Sequence, residues 1–262
     1  MDALVRPWGT LHIAVDGLAD APIVLFANSL GTDLRVWDAL LPLLPADLRL
    51  VRFDKPGHGL SDPCAEVSIA GMAEDAAALI EAVGGGRPAV VVGLSIGGLI
   101  AQALAAAHPG LVRALVLSNT AARVGTAEMW QARIDAVRTD GVAAIADAVL
   151  ERWFAPAFRA TPALALWRNM LARTPAEGYA ACCAALAETD LTEATARLRL
   201  PALAIAGELD GSTPPDLVAA TAALIPGTAV HTLPGVGHIP CVEAPEAYAA
   251  VLGPFLQEHA HG

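Results

Sequence analysis

From Ala89 to Ala107 the chain runs for nineteen residues with only Ser95 and Gln102 polar. A run of that length could in principle cross a bilayer. Its internal order argues otherwise. It opens with the β-branched stretch Val90-Val91-Val92, Gly93, Gly97 and Gly98 interrupt its middle, and His108-Pro109 ends it. The pattern is that of a strand, a sharp turn and a helix, all buried. A strand that is apolar on both faces needs a layer on each side, which is the grammar of a parallel sheet covered by helices.

The rest of the chain repeats that grammar. Leu11–Val15, Ile23–Ala27, Leu48–Phe53, Ala89–Val92, Ala114–Leu117, Ala202–Ala206 and Val230–Leu233 read as strands. Between them, Trp37–Leu44, Ser68–Val83, Ile96–Ala107, Pro215–Ile225 and Pro245–Leu256 read as helices. The alternation breaks once. From residue 121 to 199 there are helical patterns only, over Ala127–Arg138, Val142–Phe154, Pro162–Ala172 and Ala176–Glu188, punctuated by Pro156, Pro162 and Pro175. The expected organisation is an α/β core from residues 1–120 and 200–262. The helical segment 121–199 is inserted before the last two strands as a cap over the sheet's C-terminal edge, where open α/β sheets bind ligands.

Composition narrows the functional classes. Of 262 residues, 55% are hydrophobic and 16% charged, which excludes a disordered chain. The formal charge of −11, with Lys55 the only lysine, makes nucleic acid a poor partner, and an anionic ligand would need a local arginine. Cys64, Cys182, Cys183 and Cys241 form no CxxC pair and no metal-ligand spacing, so they read as reduced thiols in a cytoplasmic protein. The N-terminus lacks a basic segment followed by an apolar one, so no signal peptide is expected. The oligomeric state is left open.

The chemistry concentrates in Gly93-Leu94-Ser95-Ile96-Gly97-Gly98. A tight strand-to-helix turn strains its central residue and tolerates only small residues two before and two after it. The turn lifts the Ser95 hydroxyl clear of the sheet at a helix N-terminus. The plainer alternative is a glycine-rich turn whose serine only caps the helix. A nucleophilic serine needs a base. His12 lies in a strand, His108 ends a helix, His58 sits in the turn Asp54-Lys55-Pro56-Gly57-His58-Gly59, His231 falls in a late strand, and His259 and His261 are in the tail. His238, in Gly235-Val236-Gly237-His238, follows the last strand and is favoured. The carboxylate to orient it should follow the preceding strand, where Asp210 is preferred and Glu208 held in reserve. The oxyanion donors would be the backbone N–H groups of Ile96 and Leu30, the latter in Asn28-Ser29-Leu30-Gly31-Thr32.

These residues together resemble the α/β-hydrolase superfamily along nearly the whole chain. The resemblance rests on Asp54-x-x-Gly57-x-Gly59-x-Ser61, the Ser95 turn, Gly207-x-x-Asp210, and Gly237-His238 followed by Glu243-x-Pro245. Within it the chain is most similar to 3-oxoadipate enol-lactonases, through Asn28–Thr32, Leu117-Ser118-Asn119-Thr120, Trp130-x-x-Arg133-Ile134, Trp153-Phe154-x-Pro156 and Thr189-Asp190-Leu191. The resemblance implies a Ser95, Asp210, His238 triad and a small anionic lactone as substrate, opened without metal or organic cofactor and without nucleic acid or membrane as partner. Ser29, Trp130, Arg133 and Trp153 would contact that substrate, Arg133 pairing its carboxylate beside Trp130 on the same helix face. The alternatives are a solvated Arg133 and tryptophans that only fill the cap. A carboxylesterase or cofactor-free perhydrolase of the same fold is the competing function, and a catalytically silent ligand receptor a remote one.

Overall fold

The computed structural model describes residues 2–261. Eight strands form one sheet: β1 (Asp2–Arg6), β2 (Gly9–Asp16), β3 (Ile23–Ala27), β4 (Arg49–Phe53), β5 (Ala89–Leu94), β6 (Val112–Ser118), β7 (Ala202–Gly207) and β8 (Ala229–Leu233). Their spatial order is β1-β2-β4-β3-β5-β6-β7-β8. The first two strands are antiparallel, and β4 through β8 with β3 run parallel. The order reverses at β3, between β4 and β5, so the carboxyl ends of β3 and β5 meet at the crevice where such sheets place their ligands. Every residue of β3, β5 and β7 is buried, as expected for strands covered on both faces.

The core helices are α1 (Ile69–Gly84) and α2 (Ile96–Ala107), and between β6 and β7 lie α3 (Ala127–Asp140), α4 (Val142–Trp153), α5 (Pro156–Arg159), α6 (Leu164–Ala172), α7 (Ala176–Ala187) and α8 (Thr192–Ala196). The remainder are α9 (Pro215–Ala222), α10 (Pro240–Glu243) and α11 (Pro245–His259). Gln102, the polar residue inside apolar α2, donates to the Gly98 and Ala121 carbonyls and accepts from Thr195 Oγ1 at 2.7 Å, so its burial is satisfied. No helix among the described residues is long and apolar enough to cross a membrane.

Three elements depart from the sequence expectation. The helix expected over Trp37–Leu44 is two 3-10 turns, Leu34–Trp37 and Leu41–Leu43. Pro42 lacks an N–H, and its ring clashes with the preceding turn of a continuous helix. β1 is an edge strand with largely exposed side chains, so it carries no buried alternation to read. Five-residue α8 is too short for a helical period to register.

Candidate active site

Ser95 sits between β5 and α2 with φ 59° and ψ −121°, a strained backbone for a residue with a side chain. The turn is held because nothing larger than hydrogen fits around it. A Cβ on Gly93 would lie 2.3 Å from the Gly97 carbonyl oxygen, and one on Gly97 would lie 2.0 Å from that of Ala27. Its carbonyl accepts from Gly98 N at 2.8 Å and Thr120 Oγ1 at 2.6 Å. The Ile96 N–H that follows opens α2 and so has no acceptor within the helix.

Asp210 and His238 come from the loops after β7 and β8. His238 Nδ1 lies 2.8 Å from Asp210 Oδ2, both side chains almost wholly buried. Asp210 also accepts from Asn119 Nδ2 (2.9 Å) and Thr213 Oγ1 (2.8 Å) on Oδ2, and from Ser212 N (2.7 Å) and Thr213 N (2.9 Å) on Oδ1. Burial pushes the carboxyl's pKa up, but the facing His238 and these hydrogen bonds outweigh it, leaving Asp210 below its ordinary value. An ionised Asp210 is acceptor-only, so Nδ1 of His238 carries the proton and Nε2 is free to accept one. Glu208, the reserve carboxylate, is exposed and accepts from Gly235 N instead, so it shapes the loop and does not reach the imidazole.

The helical segment grips these loops through backbone. Gly211 N donates to the Arg152 carbonyl at 3.1 Å and His238 N to that of Trp153 at 2.7 Å, both at the C-terminal end of α4. Glu243 accepts from Gly237 N (3.0 Å) and Ala155 N (3.1 Å), and burial raises its pKa. The residue that ends α4 therefore fixes the histidine loop directly, and Glu243 ties the same loop to the start of the next turn.

Ser95, Ile96, Ser29, Leu30, Trp130, Arg133, Trp153 and His238 all line one cavity of about 130 Å³ under the helical segment, with Asp210 behind the imidazole. The structure thus brings the predicted residues together. Arg133 lies over the Trp130 ring, 5.3 Å from its centroid, and both tryptophans line the cavity while also packing in the hydrophobic core. Among the described residues no carboxylate lies within ion-pair distance of Arg133.

Sequence reasoning missed three participants. Arg152 lines the same cavity near Arg133, and its Nε is buried without a hydrogen-bond partner, as is Ser29 Oγ. Asn119, at φ 46°, bridges Asp210 and the Gly237 carbonyl, and Thr213 closes the ring around Asp210. The Ser118-Asn119-Thr120 step was visible, but its link to a carboxylate 91 residues away was not. A larger cleft of about 740 Å³ lies between α6 and the loop around Thr32–Ala39. Its ionisable groups are largely paired already, His12 with Asp54, Asp33 with Arg35 and Asp38 with Arg52, and it contains no residue of the serine site.

Comparison with known proteins identifies the family. Residues 22–245 match the family described as alpha/beta hydrolase fold. The chain is 35% identical to 3-oxoadipate enol-lactonase 2 of Acinetobacter baylyi, over 94% of this chain and 93% of that protein. It is 27% identical to the pimeloyl-[acyl-carrier protein] methyl ester esterase of Chromobacterium violaceum, over 95% of this chain and 100% of that one. Among solved structures, the enol-lactonase from Burkholderia xenovorans LB400 superposes with a TM-score of 0.93 at 34% identity, covering 98% of this chain and 100% of its own. With the strained serine, the buried acid and base after β7 and β8 and the covering helices all in place, the chain belongs to the alpha/beta hydrolase fold family.

Proposed function

We propose that this protein is a serine hydrolase that opens the ester of 3-oxoadipate enol-lactone to give 3-oxoadipate, in the breakdown of aromatic compounds in the cytoplasm. The observation that carries the reading is one small cavity lined by Ser95 and His238 together with two arginines, Arg133 and Arg152. Both arginines are part-buried with no carboxylate within ion-pair distance among the described residues, and the Arg152 Nε is buried without a partner, so a ligand carboxylate would complete their pairing. The similarity to enol-lactonases supports the same substrate.

The steps follow from the residues. His238 Nε2 takes the Ser95 proton as Oγ adds to the lactone carbonyl, and the oxyanion rests on the Leu30 and Ile96 N–H groups. Collapse breaks the ring C–O bond. The leaving enolate oxygen takes the proton from His238, and the enol becomes a ketone. Water, deprotonated by His238, then attacks the acyl group and returns the proton and free Ser95. Asp210 holds the imidazole in the tautomer that makes each transfer possible. Ser29, whose buried hydroxyl has no partner, faces the bound molecule.

A second reading, hydrolysis of neutral esters, is favoured by the similarity to a methyl ester esterase. Arginine truncation separates the two. Arg133→Ala and Arg152→Ala should each raise KM for the carboxylate-bearing lactone by about 10- to 100-fold, in line with the loss of a charge-assisted pair, and leave p-nitrophenyl acetate within about 2-fold. Equal losses on both substrates would remove the anionic-lactone reading.

A further inference from the structure

Lys55 is wholly buried, and the serine chemistry leaves it without a task. It follows β4 and points beneath the loop between β3 and the first 3-10 turn. Its Nζ donates to the Ser29 carbonyl at 2.7 Å and the Thr32 carbonyl at 3.1 Å. Among the described residues no carboxylate lies within ion-pair distance of it. A buried ammonium whose hydrogen bonds go only to two backbone carbonyls is an expensive arrangement. The place where it is kept is informative.

The Ser29 carbonyl and the Leu30 N–H are the two ends of one planar trans peptide unit, and they point in opposite directions. Fixing the carbonyl therefore fixes the N–H. The Ser29 oxygen also accepts from Thr32 N at 3.2 Å and Thr32 Oγ1 at 2.8 Å, so three donors converge on it. The next amide is pinned as well, since Gly31 N donates to His58 Nε2 at 3.1 Å. Among the described residues the Leu30 N–H itself donates to no backbone or side-chain acceptor, and Leu30 lines the cavity that holds Ser95. A cation at the carbonyl end polarises the unit and makes the N–H at its other end a stronger donor.

We propose that Lys55 is a positioning residue for the oxyanion site: by gripping the Ser29 carbonyl from below, its charged amine aims and polarises the Leu30 N–H at the far end of the same peptide unit. The inference rests on the reading of Ser95 as nucleophile, and it assigns the only lysine of the chain a role in transition-state stabilisation without contact to substrate.

The titration of the amine supplies the distinguishing readout. Burial lowers the Lys55 pKa to about 8, against the pull of Cys182, Asp54 and Asp33. His58 is held neutral by burial and by Lys55 itself, burial raises the Cys182 thiol to about 11, and Asp54 and Asp33 are engaged with His12 and Arg35.

The test is the pH dependence of kcat and KM for p-nitrophenyl acetate from pH 6 to 10 in the wild type and Lys55→Met, with Ser95→Ala as the blank. Loss of an entire oxyanion donor costs about 10²–10³-fold, so a misaimed one should lower kcat at pH 7 by about 10- to 100-fold, with KM within about 2-fold. The wild type should lose a similar factor as pH rises through about 8, and the variant should be flat there. A variant that keeps kcat within about 3-fold at pH 7, or that shares the wild type's alkaline limb, overturns the proposal. If Lys55→Met does not fold, the wild-type profile decides: a fall near pH 8 supports the proposal and a flat kcat overturns it. A Ser95→Ala protein as active as wild type would instead overturn the nucleophile reading.

Discussion

At the scale of the residue, the account turns on which protons sit where. Asp210 is held ionised by five hydrogen bonds, one of them from the imidazole it orients. Asp210→Asn would keep the shape but offer an amide N–H where an acceptor is needed, reversing the histidine tautomer. We expect kcat to fall about 10⁴-fold and the melting temperature to drop as well, because Asn119 Nδ2 and Thr213 Oγ1 also lose their acceptor, checked by steady-state kinetics beside a melting curve. An activity loss under about 10-fold would mean that another group orients His238. Ser95, Asp210 and His238 could be singled out in the sequence because each follows a strand, and the family resemblance favoured Asp210 over Glu208. Asn119, Thr213 and Arg152 were not, since their significance depends on contacts across the chain that no local pattern encodes.

At the scale of the element, the turn between β5 and α2 and the clamp between α4 and the histidine loop hold the candidate site in place. Gly97 has the Ala27 carbonyl where its Cβ would go, and backbone cannot swing aside as a flexible side chain can. Gly97→Ala should cost about 3 kcal/mol or more, seen as a drop in the denaturation midpoint or failure to accumulate as folded protein. Glu243 works differently. Glu243→Ala leaves the Gly237 and Ala155 amides without their acceptor, and should cost about 1–3 kcal/mol while lowering kcat more than it raises KM. Unchanged kinetics in that variant would show that the backbone bonds from Gly211 and His238 to α4 suffice to hold the loop. The central strands and α2 could be read from their continuous apolar runs. The loop from Leu34 to Leu43 could not, because its apolar residues mimic a helix that Pro42 forbids.

At the scale of the whole molecule, one sheet presents its switch point, and a run of helices covers it. The cavity beneath them measures about 130 Å³. Burial also acts on the thiols. Cys182, Cys183 and Cys241 are all buried thiols whose pKa burial raises, the first two to about 11 and about 12. The unfolded chain releases those protons near the ordinary thiol value of about 8.5. Between that pH and the folded values the folded state binds more protons, so stability is full below it and falls as pH rises. Melting temperature under reducing conditions should therefore drop from pH 8 to pH 10, and by less in Cys182→Ala/Cys183→Ala relative to its own pH 8 value. An equal drop in both proteins would place the alkaline sensitivity elsewhere.

If Ser95 opens an anionic lactone by acyl transfer, turnover of enzymatically generated 3-oxoadipate enol-lactone beside p-nitrophenyl acetate is the decisive measurement. We expect a kcat/KM for the lactone at least about 10³-fold above that for the neutral ester, in the range that binding and oriented attack supply together, and abolition of both activities in Ser95→Ala. Rapid ester cleavage with no lactone turnover would contradict the substrate assignment, and lactone turnover that survives in Ser95→Ala would contradict the mechanism.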